Sequence, residues 1–211
     1  MILFCGDPHG SFDHIIQRVL HTRPAAVILL GDLCLSNPFE ETFAPILDLT
    51  NIWFIHGNHD TDKVQYHDHL FATPGRNLHG RVVEIDGVQV AGLGGIFRGQ
   101  VWYPPEPPSY SNRQTFLAHC GKGNLWREGL PRKHRSSIFA EDVQYLQTLK
   151  ADILVSHEAP HAHPHGFLVI DELAQSLGAK TIIHGHHHDA FTYDDPNQIN
   201  VGFRDFFEYH R

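Results

Sequence analysis

Five short apolar runs punctuate the chain, and each breaks off at a glycine or at a side chain able to bind a ligand. MILFC stops at Gly6-Asp7, AAVILL at Gly31-Asp32, and IWFI at His56-Gly57-Asn58-His59-Asp60; DILVS stops at His157 and TIIH at Gly185-His186. Runs this short and this rich in Ile, Val and Leu fit strands covered on both faces. Amphipathic segments alternate with them: SFDHIIQRVLHT from Ser11, FEETFAPILDL from Phe39, FAEDVQYLQTLK from Phe139 and FLVIDELAQSL from Phe167. Their apolar residues recur at helical spacing. In RVVEIDGVQVAGL two alternating runs meet at Asp86-Gly87, a hairpin signal, so some pairing is antiparallel. The pattern predicts an α/β protein with a mixed sheet.

Composition narrows this to one unit. At 211 residues and 41% hydrophobic content, the chain can bury one good core, so residues 1–211 are expected to form a single domain. The proline-rich YPPEPPSY at 103–110 reads as a surface loop. No run approaches a membrane span and MILFCGDPHG lacks the features of an export signal, so a cytoplasmic location is expected. Cys5, Cys34 and Cys120 are an odd number without CxxC spacing, as for reduced thiols.

Charge is uneven. The formal net charge is −8, yet residues 98–135 carry seven basic side chains (Arg98, Arg113, Lys122, Arg127, Arg132, Lys133, Arg135) against Glu106 and Glu128, a local +5. Nine basic and twenty-two acidic residues elsewhere leave −13. A basic segment in an acidic chain suits the meeting of an anion, and equally a solvated loop.

In α/β sheets the carboxyl ends of the strands form the crevice where ligands bind. The five ends here deliver Asp7 and His9, Asp32, Asn58 and His59, His157, then His186 and His188. Carboxylate and amide oxygen mixed with imidazole nitrogen suits manganese, iron or zinc. Asp32 stands alone at its strand end, and its two oxygens suffice to bridge two ions. The seven groups other than His59 exceed one tetrahedral site and match two open ones.

The segments GDPHG, GD, GNHD, SH and GHHH occur in this order along nearly the whole chain, a series that resembles that of the calcineurin-like metallophosphoesterase superfamily. The resemblance implies an α/β fold, a four-layer sandwich of two mixed β-sheets flanked by helices, with a dinuclear metal site at the strand carboxyl ends. It assigns Asp7, His9, Asp32 and His188 to one divalent ion, and Asp32, Asn58, His157 and His186 to the other. The family pattern is Gly-His-any-His, which passes over His187; a spacing of two suits an extended segment pointing alternate side chains the same way. His184 then reads as a packed or hydrogen-bonded strand residue. His59 resembles the family's non-ligand histidine, which stabilises the transition state or protonates the leaving oxygen, with Asp60 to orient it. His161, His163 and His165 read as a mobile polar loop, with a place in the cleft wall as the alternative.

The implied reaction is hydrolysis of a phosphate ester by a hydroxide held between two divalent ions. Protein phosphatases and dinucleoside-polyphosphate hydrolases of the superfamily follow the second motif with an arginine that grips phosphate; here GDLCLSN has none. This favours a phosphodiesterase acting on a nucleotide or small diester, with a phosphomonoesterase or nucleoside polyphosphate pyrophosphohydrolase as alternatives. Arg98, Arg113 and Arg127 are the expected substrate contacts. Trp102, Tyr103, Tyr110, Phe116 and Trp126 either stack on a base beside them or form the core of a small subdomain in an insert at about 98–135. Expected partners are a phosphate ester, nucleotide or short oligonucleotide, with no membrane and no protein partner implied. A nucleic-acid-binding module would need a broad basic surface, and an inactive scaffold of this fold would be expected to have lost ligands.

Overall fold

The computed structural model describes every residue from Met1 to Arg211. Nine strands form two sheets: β1 (Ile2–Cys5), β2 (Ala26–Leu29), β3 (Asn51–Phe54), β4 (Arg81–Ile85), β5 (Val88–Leu93), β6 (Ile153–Ser156), β7 (Thr181–His184), β8 (Gln198–Asn200) and β9 (Phe206–Tyr209). The first sheet runs β3-β2-β1-β9 and the second β4-β5-β6-β7-β8. β9 pairs antiparallel with β1 and β4 with β5; every other pairing is parallel. Both sheets are therefore mixed.

Strand alternation sorts the core into layers. Ile2 and Phe4 of β1, with Ala26 and Ile28 of β2, pack toward Val90, Ile153, Val155 and Ile183 of the second sheet. Leu3 and Cys5 point the other way, onto Ile15 and Val19 of helix α1 (Asp13–Thr22) and Phe39 and Phe43 of α2 (Phe39–Phe43). On the far side of the second sheet, Ala91, Leu93, Leu154 and Ile182 are covered by helices that the chain forms later, through Val143, Leu146, Ile170, Leu173 and Leu177. The result is helix, sheet, sheet, helix, the four-layer sandwich. At the hairpin, Asp86 and Gly87 have φ of 51° and 75°, the paired left-handed conformation of a tight two-residue turn.

Elements α3 (Val64–Phe71), α4 (Arg113–His119), α5 (Ala140–Leu146) and α6 (Leu168–Leu177) complete the set. Three features depart from the sequence pattern. The first helix starts at Asp13 rather than Ser11. The segment from Phe39 stays helical only to Phe43, because Pro45 has no N–H with which to continue the helical hydrogen-bond ladder. Strands β8 and β9 and helices α3 and α4 have no counterpart in that pattern.

Residues 98–135 lie between β5 and α5 and share a small core with Phe139 at the start of α5. Val101, Phe116, Leu130 and Phe139 are buried together, with Trp102, Tyr110, Leu117 and Cys120 against them. Arg113 anchors this segment to the body of the fold: its Nη1 and Nη2 donate to the Asp142 carboxylate at 2.7 and 2.9 Å, and Nη1 also reaches Glu141 at 2.8 Å. Asp142 accepts in addition the Phe139 N–H at 2.9 Å, closing the start of α5. Burial alone would raise the Asp142 pKa, but His79 and Arg113 hold it well below the usual carboxylate range.

Asp142→Asn is therefore expected to destabilise the protein by about 1.5–3 kcal/mol at pH 7, the worth of a hydrogen bond to a charged group. The lower end is the better guide, because water screens the partly open Arg113. A depressed folded-state pKa contributes stability above the unfolded value of about 4 and loses it as pH falls. Urea unfolding of both proteins from pH 7 to pH 3 should show the gap narrowing below about pH 4; a constant gap would mean that the carboxylate charge is not what matters.

Candidate functional site

The carboxyl ends of β1, β2 and β3 meet those of β6 and β7 along one edge of the seam between the sheets. Asp7 and Asp32 are 0% and 1% exposed and His157 is 0% exposed. Close approach of these loops depends on two glycines. A Cβ on Gly31 would collide with the His157 ring, and one on Gly57 with the Asp32 carboxylate, so Gly-Asp and Gly-Asn are steric requirements as much as motifs. The backbone is also forced into the left-handed region at Asp7 (φ 21°), His9 (φ 43°), Asp32 (φ 50°) and His186 (φ 70°). Such conformations are uncommon outside glycine and persist only where surrounding structure imposes them, as at functional sites.

The donor atoms gather in two groups about Asp32. His9 Nε2 lies 3.1 Å from His188 Nε2 and 3.7 Å from Asp32 Oδ2. On the other side His157 Nε2 lies 3.2 Å from Asn58 Oδ1 and 3.5 Å from the same Asp32 oxygen. Asp32, His157 and His186 offer ligand atoms within 4.8 Å of one another. Two ligands of one ion, each about 2.1 Å from it, sit roughly 3–3.5 Å apart, so this spacing fits a cation in each group. His157 Nδ1 meets the Leu30 carbonyl at 2.7 Å, which places the proton on Nδ1 and turns Nε2 toward Asp32.

Electrostatics point the same way. Both oxygens of buried Asp7 lack a hydrogen bond, although buried polar atoms almost always have one. Burial pushes Asp7 up to about 7. Asp32, which burial alone would also raise, is held well below the usual range by His157 and the His59 backbone N–H, 2.7 Å from Oδ1. Burial would lower His157, but Asp32, Asp7 and the Leu30 carbonyl push it up to about 10. A proton and a metal ion compete for the same lone pair, so a place that favours one favours the other. Burial, with the nearby His157 and His187, lowers His186 to about 3, so its imidazole is neutral and its place beside His157 is an argument from geometry alone.

The histidine run resolves differently from strand alternation. β7 ends at His184, and the left-handed turn at His186 sets the ring directions beyond it. His186 faces His157, their ring centroids 4.8 Å apart, while His188 faces His9. His187 stacks on buried His163 at 4.0 Å. His184 donates to or accepts from Tyr193 Oη at 2.7 Å. His161 and His165 stay exposed.

Other site residues fall elsewhere than expected. Asp60 is 0% exposed and accepts the Cys34 and Gly57 backbone N–H groups at 2.8 and 2.9 Å. It ties the β2 and β3 loops together and does not orient His59. The partner of the His59 ring is Asp62, with Nδ1 to Oδ2 at 2.6 Å. Of the three arginines, Arg113 is held by Asp142 and Glu141, and the exposed Arg127 pairs with Asp68 at 2.6 and 2.9 Å. Arg98 has no carboxylate partner, donates to the Ser136 carbonyl at 2.9 Å, and feels the charges of Glu158, Asp62 and Asp32. Phe203, 42% exposed, lies against both His188 and His9, with centroids at 5.0 and 5.7 Å. Nothing in the sequence pattern singles it out.

Residues 1–190 match the calcineurin-like phosphoesterase family. An uncharacterized protein of Haemophilus influenzae is 46% identical over 209 residues, covering 97% of this chain and 92% of that protein. One solved structure, 15% identical, aligns with a TM-score of 0.56 over 96% of this chain and 90% of the other; it shares with this chain the fold alone. Another, from Thermus thermophilus, is 17% identical, with a TM-score of 0.49 over 87% and 80% of the two chains. No helix of the chain is long and apolar enough to cross a membrane. By its match over residues 1–190, the chain belongs to the calcineurin-like phosphoesterases, metal-dependent hydrolases of phosphate esters.

Proposed function

We propose that the chain is a phosphodiesterase acting on a nucleotide or small phosphodiester, with two divalent cations (Mn, Fe or Zn). One is held by Asp7, His9, Asp32 and His188, and the other by Asp32, Asn58, His157 and His186. The observation that carries the two-cation reading is the position of Asp32 Oδ2, 3.7 Å from His9 Nε2 and 3.5 Å from His157 Nε2, between two separate sets of donors. Such a pair of cations supplies charge neutralisation at the phosphoryl oxygens and a water of lowered pKa.

The chain's own groups do the rest. Asp32 and Asp7 fix the local negative charge, and the His157 Nδ1–H donated to Leu30 fixes which ring nitrogen faces inward. His59 is half-exposed, its ring centroid 5.3 Å from that of His9, as suits a group that touches substrate. With Asp62 on Nδ1, its Nε2 is free to hold a proton for the leaving oxygen or to donate to a phosphoryl oxygen. What favours a diester is charge. The run after Asp32 contributes no cation, and its Leu33 and Leu35 are 0% exposed. Arg113 and Arg127 are neutralised by carboxylates. A diester monoanion needs fewer side-chain cations than a monoester dianion.

Asp32→Asn should lose metal and turnover, since an amide cannot supply two anionic oxygens; full activity of a metal-replete Asp32→Asn protein would end the two-cation reading. His186→Ala and His188→Ala should each lose a metal ion and nearly all hydrolysis, a larger effect than the ~10- to 100-fold typical of outer-shell changes. His187→Ala should keep its metal by elemental analysis; if it is instead the variant that empties a site, the ligand assignment is off by one residue. His59→Ala should keep its metal while kcat falls by roughly 10²- to 10⁴-fold. Asp62→Asn should show part of that loss, about 10-fold or more, with steady-state rates on a bis-aryl phosphodiester as the readout.

A further inference from the structure

One guanidinium near the donor cluster is taken up by no carboxylate. Arg98 follows Phe97, whose backbone N–H donates to Glu158 Oε1 at 2.8 Å, and a Glu158 oxygen lies within 4.8 Å of ring nitrogens of His186 and His187. This ties the start of the Arg98 loop to the His186 side of the cleft. The other end of the side chain is tied to the His59 side. Arg98 Nη1 donates to the Ser136 carbonyl at 2.9 Å and to Ser136 Oγ and Ser137 Oγ at 3.3 Å each. Ser136 Oγ in turn meets Thr61 Oγ1 at 2.7 Å, and Thr61 belongs to the turn His59–Thr61. The side chain thus spans from the loop beside His186 to the turn that carries His59.

All three acceptors hold the same nitrogen. Nε and Nη2 make no hydrogen bond, and in this half-buried side chain neither of them is enclosed, so both reach open space. Arg113 and Arg127 form ion pairs; Arg98 forms none. Burial lowers its pKa, and Glu158, Asp62 and Asp32 offset this from beyond ion-pair distance. The N–H bonds of Nε and Nη2 run nearly parallel along one edge of the guanidinium, the fork that takes a carboxylate or a phosphate bidentately. A role as brace for Ser136 would need Nη1 alone, and it leaves that fork without a purpose. A partly desolvated cation with its best donor edge empty is costly unless an anion comes to it. At the mouth of a phosphoesterase centre the anion at hand is the phosphoryl group, and a diester presents two non-bridging oxygens to the two donors.

We infer that Arg98 grips the phosphoryl group of the substrate through its Nε and Nη2 edge, with Ser136 and Ser137 holding the guanidinium in place. This rests on the phosphoesterase reading given above. It is tested on metal-replete wild type, Arg98→Lys and Arg98→Ala, with metal content and melting temperature measured for each. The first readout is KM and kcat on methyl 4-nitrophenyl phosphate, and the second is the Kd of inorganic phosphate by calorimetric titration, which does not depend on turnover. Arg98→Ala is expected to raise both KM and the phosphate Kd roughly 10- to 100-fold, the effect of losing a hydrogen bond to a charged group, with its metal retained. Arg98→Lys keeps the charge without the fork and should recover part of that loss. If Arg98 is only a brace, kcat falls as the His59 turn loosens while the phosphate Kd stays at the wild-type value; that outcome overturns the inference. Lysine binding phosphate as tightly as arginine overturns the fork, and a wild type that binds no phosphate overturns the contact altogether. If the wild type hydrolyses no diester the diesterase reading fails, and the titration still decides: weaker phosphate binding by Arg98→Ala upholds the contact, and equal binding rejects it.

Discussion

Two carboxylates withdrawn from water set the terms for everything around them. A buried anion is expensive unless it is paired or hydrogen-bonded, and Asp7 and Asp32 lie at the bottom of the seam between the sheets. Asp32 finds the His59 N–H and the His157 ring; Asp7 finds no hydrogen bond. Positive charge has to come from elsewhere, and the imidazoles, the amide of Asn58 and the left-handed backbone at Asp7, His9, Asp32 and His186 are arranged around that need. Neither sheet holds the arrangement alone. β1, β2 and β3 bring the carboxylates, the amide and His9; β6 and β7 bring the other imidazoles. The layer of Ile2, Phe4, Ile28, Val90, Ile153, Val155 and Ile183 that fixes how far apart the sheets stand thus also fixes how far apart the donors stand.

What was legible in the sequence follows from how local each signal is. The five site-bearing strands announced themselves because each is an apolar run ending in glycine or a ligand type, and the hairpin because Asp-Gly takes two positive φ values without much cost. The layers were not legible in the strand runs, which are apolar on both faces; the four-layer sandwich came from the resemblance carried by the motif series. Strands β8 and β9 were not legible either: three and four residues long, they sit at sheet edges with only partial burial, so no apolar run marks them. Their pairing with β7 and β1 is a long-range event. Phe203 was invisible for the same reason, because the loop that carries it is defined by those two edge strands.

Charge misled in an instructive way. The excess of basic residues at 98–135 is real, but two of the three arginines expected to meet substrate are neutralised by Asp68, Glu141 and Asp142, acidic residues drawn from outside that segment. A local charge count cannot see a partner 59 residues away. The segment instead braces the turn that carries His59. Arg132 donates to the Thr61 and Asp62 carbonyls at 2.9 and 2.8 Å, and Ser136 Oγ meets Thr61 Oγ1 at 2.7 Å.

The division of labour between Asp60 and Asp62 shows why adjacency in sequence is a poor guide to partnership at this site. Residues His59–Thr61 form a single 3₁₀ turn, and in such a turn side chains three apart stand over one another while neighbours diverge. Asp62, at i+3 from His59, therefore reaches the ring, whereas Asp60 is turned inward, where it is fully buried and receives the Cys34 and Gly57 amides. Burial and the nearby Asp32 raise Asp60 to about 7, so its two backbone donors are what keep it tolerable there. Each carboxylate is thus held by a different need. Asp60 closes the gap between two loops that must approach closely for Asp32 and Asn58 to meet, and Asp62 faces the cleft, where its side chain is committed to the histidine assigned to the chemistry.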